Sequence, residues 1–288
     1  MLDQILESNE IYDRFYEGER PLFALKNQRL NKVRFYPGES ALKHSSDVTA
    51  TQCEFMGKYP FWHSENIELD KCLFTVYARA AIWYTQNLTM RDSVVEAPKM
   101  FRRVSNLTIE NSRFTSAGET LWLCDNIRLT NVEMKSADYV FMNCENIEID
   151  NFTLQGNYSF QDAKNVTIRN SYLNSKDAFW GTENVTVYDS VIEGEYLGWH
   201  SKNLKLVNCT IRGEQPLCYA KDLVMINCKM VDTDLCFEYA TLEAEIVSDI
   251  ISVKNPKAGH IKAKAIGEII IDEHCQNPGG CVIETQED

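Results

Sequence analysis

The sequence predicts an all-β fold, a single-stranded right-handed parallel β-helix of about 11–12 coils with terminal caps. Three observations predict it: a repeat with a period near 20 residues, strand-like alternation within each repeat, and polar corner residues at fixed positions. Consecutive anchor residues lie 19, 20 or 21 positions apart, a regularity typical of solenoids. The anchors are Asn27, Asp47, Asn66, Asn87, Asn106, Asn126, Asn146, Asn165, Asn184, Asn203 and Asp222.

Offsets from the anchor predict three short strands in each coil. Offsets +1 and +3 are aliphatic and offsets +2 and +4 are polar, as in residues 67–70, which indicates a strand with one buried face. Offset +5 is mostly Asn or Asp, residues that tolerate the left-handed conformation of a corner. Offset +6 is small or Cys and offset +8 is large and apolar, while offset −5 supplies a third inward-facing apolar residue. Because one coil cannot bury these faces alone, stacking of coils supplies the stability.

Two other solenoids have comparable repeats. A leucine-rich repeat has a similar period but needs a helical or irregular returning arm, whereas these coils carry β-type segments all the way round. A left-handed hexapeptide helix places apolar residues every six positions, which the irregular spacing opposes. Both alternatives are therefore disfavoured.

The ends of the chain depart from the repeat. We expect residues 1–20 to form an N-terminal cap, residues 21–246 the β-helix, and residues 247–288 C-terminal strands or a cap that packs on the helix. Open ends of a β-helix expose strand edges, which is why capping segments are expected.

Composition limits the partners. The formal net charge of −13 argues against a nucleic-acid backbone or an anionic membrane as partner. No secretory signal is apparent at the N-terminus and no apolar run reaches membrane-spanning length, so we expect a cytoplasmic protein whose ten Cys are free thiols. No close Cys pairs accompany convergent His or Asp residues, and neither a metal nor another cofactor is expected.

The row at offset −4 is the most informative candidate surface, because it contains all five Trp of the chain. The row at offset −3 adds His, Tyr and Arg, and neighbouring loops add carboxylates. Aromatic rings with a polar rim suit a sugar chain, and an exposed apolar strip of this size marks a binding site. The predicted ligand-binding residues are Trp62, His63, Trp83, Tyr84, Arg102, Arg103, Trp122, Asp162, Asp177, Trp180, Glu195, Trp199 and His200. The alternative is that offset −4 points inward and the Trp fill the core.

The sequence indicates catalytic residues less clearly than it indicates binding residues. Equivalent residues of adjacent coils would lie roughly 5 Å apart, near the carboxylate separation of a retaining glycosidase. Asp162 with Asp177, or Glu193 with Glu195, could supply such a pair, and Arg102 with Arg103 could serve a lyase as base or anion clamp. Solvated surface charge is the simpler interpretation of each, and the spacing yields no His–carboxylate–Ser set.

The late coils turn apolar on the +2 and +4 face, at Tyr188, Val207, Val224 and Ile226. We expect residues 245–288 to fold back over this patch, or a second subunit to cover it in a homo-oligomer.

Repeats such as residues 165–171 resemble those of right-handed β-helix proteins of the pectin-lyase-like superfamily, over about residues 20–270. A five-residue motif that ends on the anchor, here called the anchor refrain, recurs at 62–66, 83–87, 180–184 and 199–203. Together with the tail at 267–272, it resembles the mostly microbial family catalogued as domain of unknown function 3737. The superfamily implies polysaccharide lyases, glycoside hydrolases and sugar epimerases, but fold alone does not give function. The polygalacturonase motifs and a pectate-lyase calcium cluster are missing from the sequence, so no catalytic residue is carried over.

Two functions follow as hypotheses. The first is binding or modification of a carbohydrate along the aromatic strip. The second is a non-enzymatic scaffold that self-associates through its apolar late coils. A metal or redox role for the Cys is a distant third.

Overall fold

The structure, a computed structural model, describes residues 9–286 and contains no helix among them. No segment in that range therefore forms a helix long and apolar enough to span a membrane. The chain divides into two compact units, one ending at Phe141 and the other beginning at Met142. Each unit is built of parallel strands, so the predicted all-β parallel β-helix is confirmed.

The first unit contains seven turns of the β-helix, begun by β1, β3, β5, β7, β9, β11 and β13. Its strands are β1 Glu10–Tyr12, β2 Phe15–Glu19, β3 Lys26–Asn31, β4 Arg34–Glu39, β5 Ser46–Thr51, β6 Glu54–Phe55, β7 Glu65–Asp70, β8 Leu73–Phe74, β9 Gln86–Arg91, β10 Val94–Val95, β11 Ser105–Glu110, β12 Arg113–Phe114 and β13 Asp125–Met134.

The second unit contains eight turns, begun by β14, β15, β17, β19, β21, β22, β23 and β24. Its strands are β14 Glu145–Gln155, β15 Lys164–Arg169, β16 Tyr172–Asn174, β17 Glu183–Tyr188, β18 Val191–Glu193, β19 Lys202–Val207, β20 Thr210–Glu214, β21 Leu223–Asp234, β22 Thr241–Lys254, β23 Ala258–Ile270 and β24 Cys281–Thr285. The two units together have more turns than the 11–12 predicted, because both ends of the described chain continue the helix without the anchor refrain.

The hydrophobic core is the column of inward residues that the offsets predict. In the register of β7 and β9, Ile67 pairs with Leu88 and Leu69 with Met90, and all four are buried. The second strand adds stacked rings at offset +8, where Phe55 and Phe74 lie 4.6 Å apart. Stacking by one strand spacing places like side chains in contact, which buries apolar area and aligns aromatic faces.

The anchor residues form hydrogen-bonded ladders at a corner. Asn66 Nδ2 donates to Asp47 Oδ1 at 2.8 Å, and Asn87 Nδ2 donates to Asn66 Oδ1 at 2.9 Å. The second unit repeats the pattern, with Asn203 Nδ2 donating to Asn184 Oδ1 at 2.9 Å. All of these anchors adopt the left-handed conformation, with φ between 53° and 58°. The corner therefore needs a residue that tolerates positive φ and also donates and accepts, which explains the preference for Asn.

The N-terminal boundary differs from the expectation. Strands β1 and β2 lie parallel to β3 and β4, with Ile11 beside Leu30 and Phe15 beside Arg34. Residues 10–19 are thus a turn of the β-helix rather than a cap. They were missed because their polar and aromatic residues lack the anchor refrain. Residues 1–8 of the expected cap lie outside the described residues.

The C-terminal segment also differs from the expectation. Strands β22, β23 and β24 stack in parallel register on β21, with Thr241 beside Ala258 and Gly259 beside Cys281. They extend the helix along its axis instead of folding back over the apolar late coils. The turn from β22 to β23 is 17 residues, shorter than the earlier period, so the refrain is lost while strand pairing continues. Residues 287–288 lie outside the described residues.

The late-coil patch consequently stays uncovered by this segment. Ile226 is 39% exposed, and Tyr188, Val207 and Val224 are partly exposed. The Arg169 guanidinium lies 4.9 Å from the centre of the Tyr188 ring and shields that ring in part.

Candidate functional site

The −4 and −3 rows lie at one corner of each unit. Phe61 at offset −5 is buried, Trp62 at −4 is half-buried and His63 at −3 is exposed. Offset −3 has positive φ, for example 55° at His63, and this sharp corner carries the chain from the core to the surface. The Trp therefore do not fill the core, and both rows meet solvent.

In the first unit the −4 row is a continuous stack. The rings of Trp62 and Trp83 lie 5.1 Å apart and within 9° of parallel. The Arg102 guanidinium lies over Trp83 at 4.3 Å and over Trp122 at 4.6 Å. Each face-to-face contact covers the surface of a ring that a sugar would use.

The −3 row of the first unit is a second stack. His44 and His63 lie 5.2 Å apart, and His63 and Tyr84 lie 4.8 Å apart and within 7° of parallel. Burial, followed by the charges of His44 and Lys43, lowers the pKa of His63. A neutral imidazole stacks on its neighbours without repulsion, so this row is also a packed structural feature.

The indole N–H groups of three Trp in this row are already used. Trp62 Nε1 donates to the Ala80 carbonyl at 2.7 Å, Trp83 Nε1 to that of Lys99 at 2.9 Å, and Trp122 Nε1 to that of Tyr139 at 2.5 Å. The structure thus corrects the idea of a strip of open ring faces in this unit, because the Trp present edges to solvent. Strand spacing is the reason: rings in one row of adjacent turns cover each other.

The second unit has a looser arrangement. Trp180 and Trp199 lie 5.4 Å apart but are tilted by 32°, and Trp199 Nε1 donates to the Gln215 carbonyl at 2.8 Å. In the −3 row, His200 stacks on Tyr219 at 4.8 Å. The row continues to Tyr239, whose ring lies 5.4 Å from that of Tyr219.

Gly181 interrupts the −3 row. Its φ is +66°, close to the values of 54° at Asp162 and 57° at His200, which carry side chains in the same conformation. The backbone conformation at this position therefore accepts residues with side chains and does not require glycine. We call the resulting space, between Asp162 on one side and His200 on the other, the Gly181 gap. The Trp180 ring lies 5.4 Å from the His200 imidazole at a tilt of 54°, and the His200 imidazole also stacks on Tyr219.

Two polar groups at the Gly181 gap have no protein partner. Within residues 9–286, the indole N–H of Trp180 has no hydrogen-bond acceptor, unlike those of the other four Trp. The Asp162 carboxylate makes no hydrogen bond or ion pair in the same range, and its Oδ1 would lie 2.5 Å from a Cβ placed on Gly181. A donor and an acceptor thus reach one opening beside two aromatic rings.

The remaining predicted carboxylates are engaged or buried. Asp177 is only 7% exposed rather than on the rim, and burial raises its pKa, partly offset by Lys176. Glu195 pairs with Lys176 Nζ at 3.1 Å, and Glu193 accepts a hydrogen bond of 2.6 Å from the Tyr172 hydroxyl. These three do not form the open carboxylate pair of a glycosidase.

The predicted residues thus divide by unit. The structure groups Trp62, His63, Trp83, Tyr84, Arg102, Arg103 and Trp122 in the first unit, and Asp162, Trp180, Trp199 and His200 in the second. Sequence reasoning overlooked Gly181, although a Gly in a row of His, Tyr and Asp was a readable signal. Among residues 9–286 no three His, Cys, Asp or Glu side chains are arranged to hold a metal ion. Among residues 9–286 no disulfide joins the ten Cys, and eight of their side chains are buried.

Comparisons with known proteins place the chain in a family. A family model described as Protein of unknown function (DUF3737) matches residues 9–284. No curated protein sequence matches the chain.

Several solved structures are similar over most of the chain. PfbA, a surface adhesin of Streptococcus pneumoniae, is 10% identical with a TM-score of 0.42, covering 98% of this chain and 85% of its own. The A-module of the mannuronan C-5 epimerase AlgE4 of Azotobacter vinelandii is 9% identical with a TM-score of 0.29, covering 97% and 92%. HetL, a pentapeptide repeat protein of Nostoc, is 8% identical with a TM-score of 0.24, covering 84% and 94%. At such TM-scores the likeness carries no functional implication.

Proposed function

We propose that this chain, which belongs to the family described as Protein of unknown function (DUF3737), binds carbohydrate and holds one sugar residue in the Gly181 gap. The proposal rests on the geometry of the chain itself. The observation that carries the proposal is the interruption of the −3 row. Elsewhere in this row of the second unit a side chain fills each level, and here only a glycine does.

The groups around the gap match a sugar ring. The C–H face of a sugar packs on aromatic rings, and Trp180 and His200, whose ring centres lie 5.4 Å apart, present two such rings at the gap. Sugar hydroxyls both donate and accept, and the gap provides the Asp162 carboxylate as acceptor and the Trp180 N–H as donor. A hydrogen bond to the carboxylate is charge-assisted and therefore stronger than a neutral one.

The dimensions favour one ring and not a buried chain. Asp162 and His200 belong to turns two strand spacings apart, about 9.5 Å. The Asp162 carboxylate leans over Gly181 into that space, so one sugar ring would bind from the solvent side of the gap and the rest of a longer glycan would remain outside. Small sites with an aromatic platform and a few polar groups are typical of ligand recognition.

The carboxylates at the gap do not support glycoside hydrolysis. Asp177 is buried, and Glu193 and Glu195 are held by Tyr172 and Lys176. Asp162 alone meets the gap, whereas both types of glycosidase require two carboxylates.

A glycan array tests the proposal with three variants and unmodified protein. Trp180→Ala removes the donor and the ring, and Gly181→Asn fills the gap with a residue that tolerates positive φ. We expect each to weaken binding at least tenfold. Tyr77→Ala is the matched control, because it removes an aromatic ring that is 67% exposed in the other unit. Thermal unfolding followed by circular dichroism confirms that each variant is folded. The proposal is contradicted if the unmodified protein binds no glycan, or if Trp180→Ala and Gly181→Asn both bind as tightly as the unmodified protein.

A second candidate function rests on the uncovered late-coil patch. Tyr188, Val207, Val224 and Ile226 form an apolar row that would suit self-association of a scaffold. Light scattering on the unmodified protein and on Ile226→Asp separates the two functions. A dimer that Ile226→Asp dissociates supports the scaffold, and a monomer in both leaves carbohydrate binding alone.

A further inference from the structure

Arg102 replaces an indole in the −4 row of the first unit. Its guanidinium carbon lies 4.3 Å from the Trp83 ring centre and 4.6 Å from the Trp122 ring centre, so both faces of the cation are covered. Such cation–π contacts are attractive, and more so when the cation is partly removed from water. The two indoles are themselves fixed by their N–H bonds to backbone carbonyls. The cation is therefore held in one orientation.

No carboxylate of the protein neutralises this cation. Within residues 9–286, neither Arg102 nor Arg103 makes an ion pair or a side-chain hydrogen bond, and Arg102 Nε is buried with no acceptor. Nearby bases behave differently, since Lys99 pairs with Glu119 at 3.0 Å and Arg91 with Glu110 at 2.9 Å. The chain has 42 acidic and 29 basic residues, so carboxylates outnumber cations, and yet these two adjacent arginines have no carboxylate partner among the described residues.

The accessible part of Arg102 is its outer edge. The faces are covered, Nε is buried, and the side chain is only partly exposed, so the terminal N–H groups are what solvent reaches. A guanidinium edge binds an oxyanion through two parallel N–H bonds. Because π-stacking blocks the other approaches, that edge is the one direction from which a ligand can bind.

Arg103 lies beside this edge on the exposed −3 row. In the preceding turn the equivalent neighbours Trp83 and Tyr84 have ring centres 6.3 Å apart. The side chains of Arg102 and Arg103 start from the same two offsets, so they emerge side by side at one level. Two guanidinium groups on adjacent residues of one turn can bind one anionic group together.

We propose that Arg102 and Arg103 form a binding site for an oxyanion, the carboxylate, sulfate or phosphate of a small molecule or polymer. Trp83 and Trp122 orient Arg102, and the anion supplies the negative charge that no described carboxylate provides. Removing a buried or half-buried charge from water without a partner is unfavourable, and an oxyanion at the edge offsets that term. The site is independent of the Gly181 gap, which lies in the other unit.

Titration calorimetry tests the site with sodium sulfate, sodium phosphate and sodium glucuronate, each against sodium chloride at matched ionic strength. The full chain should bind at least one of the three anions saturably. The anion that binds most tightly distinguishes a carboxylate source from a sulfate or phosphate source. Intrinsic fluorescence of the five Trp, two of which flank Arg102, gives a second readout of the same binding.

Three variants define the roles of the residues. Arg102→Met keeps a long apolar side chain between the indoles and removes the charge, and we expect it to weaken binding at least tenfold. Arg102→Lys keeps the charge without the planar fork, and a tenfold loss there shows that the fork matters. Arg103→Gln should also weaken binding several-fold. Arg79→Gln, which alters an exposed arginine outside the two rows, should bind like the unmodified protein.

Two results would overturn the inference. One is a response to all three anions equal to that of sodium chloride. The other is unchanged anion affinity in both Arg102→Met and Arg103→Gln. If circular dichroism shows that Arg102→Met is unfolded, the exposed Arg103→Gln decides alone. Trp180→Ala should leave anion binding unchanged, which separates failure of this site from failure of the carbohydrate proposal.

Discussion

Replacing Asn87 with alanine should destabilise the first unit more than any other change to an exposed side chain of its strand. Asn87 Nδ2 donates to Asn66 at 2.9 Å, and Asn87 Oδ1 accepts from Asn106 at 2.8 Å. Both bonds are exposed, so each is worth about 0.5 kcal/mol. The residue also has φ of +54°, where alanine costs about 1–2 kcal/mol. The expected loss is about 2–3 kcal/mol in the free energy of unfolding.

Glycine at the same position separates the two contributions. Asn87→Gly loses the same two hydrogen bonds but accepts positive φ, and its extra freedom in the unfolded chain costs about 0.4–1 kcal/mol. It should therefore be about 1 kcal/mol more stable than Asn87→Ala. Gln86→Ala is the matched control, because Gln86 is an exposed amide in the same strand, without positive φ, and should change stability by less than about 0.5 kcal/mol.

Urea denaturation followed by far-ultraviolet circular dichroism measures all three variants. If Asn87→Ala loses no more stability than Gln86→Ala, the ladder does not hold the corner as we argue. If Asn87→Gly is less stable than Asn87→Ala, the argument from backbone conformation is wrong, and the hydrogen bonds alone matter.

Two further predictions concern the core. Phe74→Ala should lower the free energy of unfolding, measured by urea denaturation, by about 3–5 kcal/mol, because the buried ring stacks on Phe55 at 4.6 Å. Leu73→Ala, on the outer face of the same strand, should lower it far less. Equal losses in the two variants would contradict the assignment of faces. Burial raises the pKa of Cys218 from 9.0 to about 12, so its neutral form contributes stability that is complete below pH 9 and is lost as pH rises through about 12. Cys218→Ala should make the alkaline fall in stability less steep, and an unchanged pH profile would show that this thiol does not titrate as inferred.

Much of the fold was predictable because the repeat carries its own physical reason. Asn anchors recur because the corner needs positive φ together with a donor and an acceptor, and only a few residues supply all three. Alternation after the anchor follows from the strand period, and Ile67 and Leu69 are buried where it places them. Neither requirement depends on distant parts of the chain, so both are visible in any one coil.

The ends were less predictable for a related reason. Residues 10–19 and strands β22 to β24 continue the helix without the anchor refrain. Backbone pairing needs no particular side chain, so a turn can be added where the side-chain signal has faded. The repeat pattern records only the positions that require particular side chains, and a count of turns based on it is therefore too low.

Sequence alone determined the period, the inward faces and the rows to which Trp62, Trp180 and His200 belong. Tertiary structure decided what those rows can do. One strand spacing between turns brings the rings of Trp62 and Trp83 into mutual contact and closes their faces. The same spacing covers Arg102 on both sides, and it places the Trp180 ring 5.4 Å from His200 at the turn where Gly181 contributes no side chain. Whether a ring meets a ligand or another ring depends on its neighbours in three dimensions, and that information is not carried by the row itself.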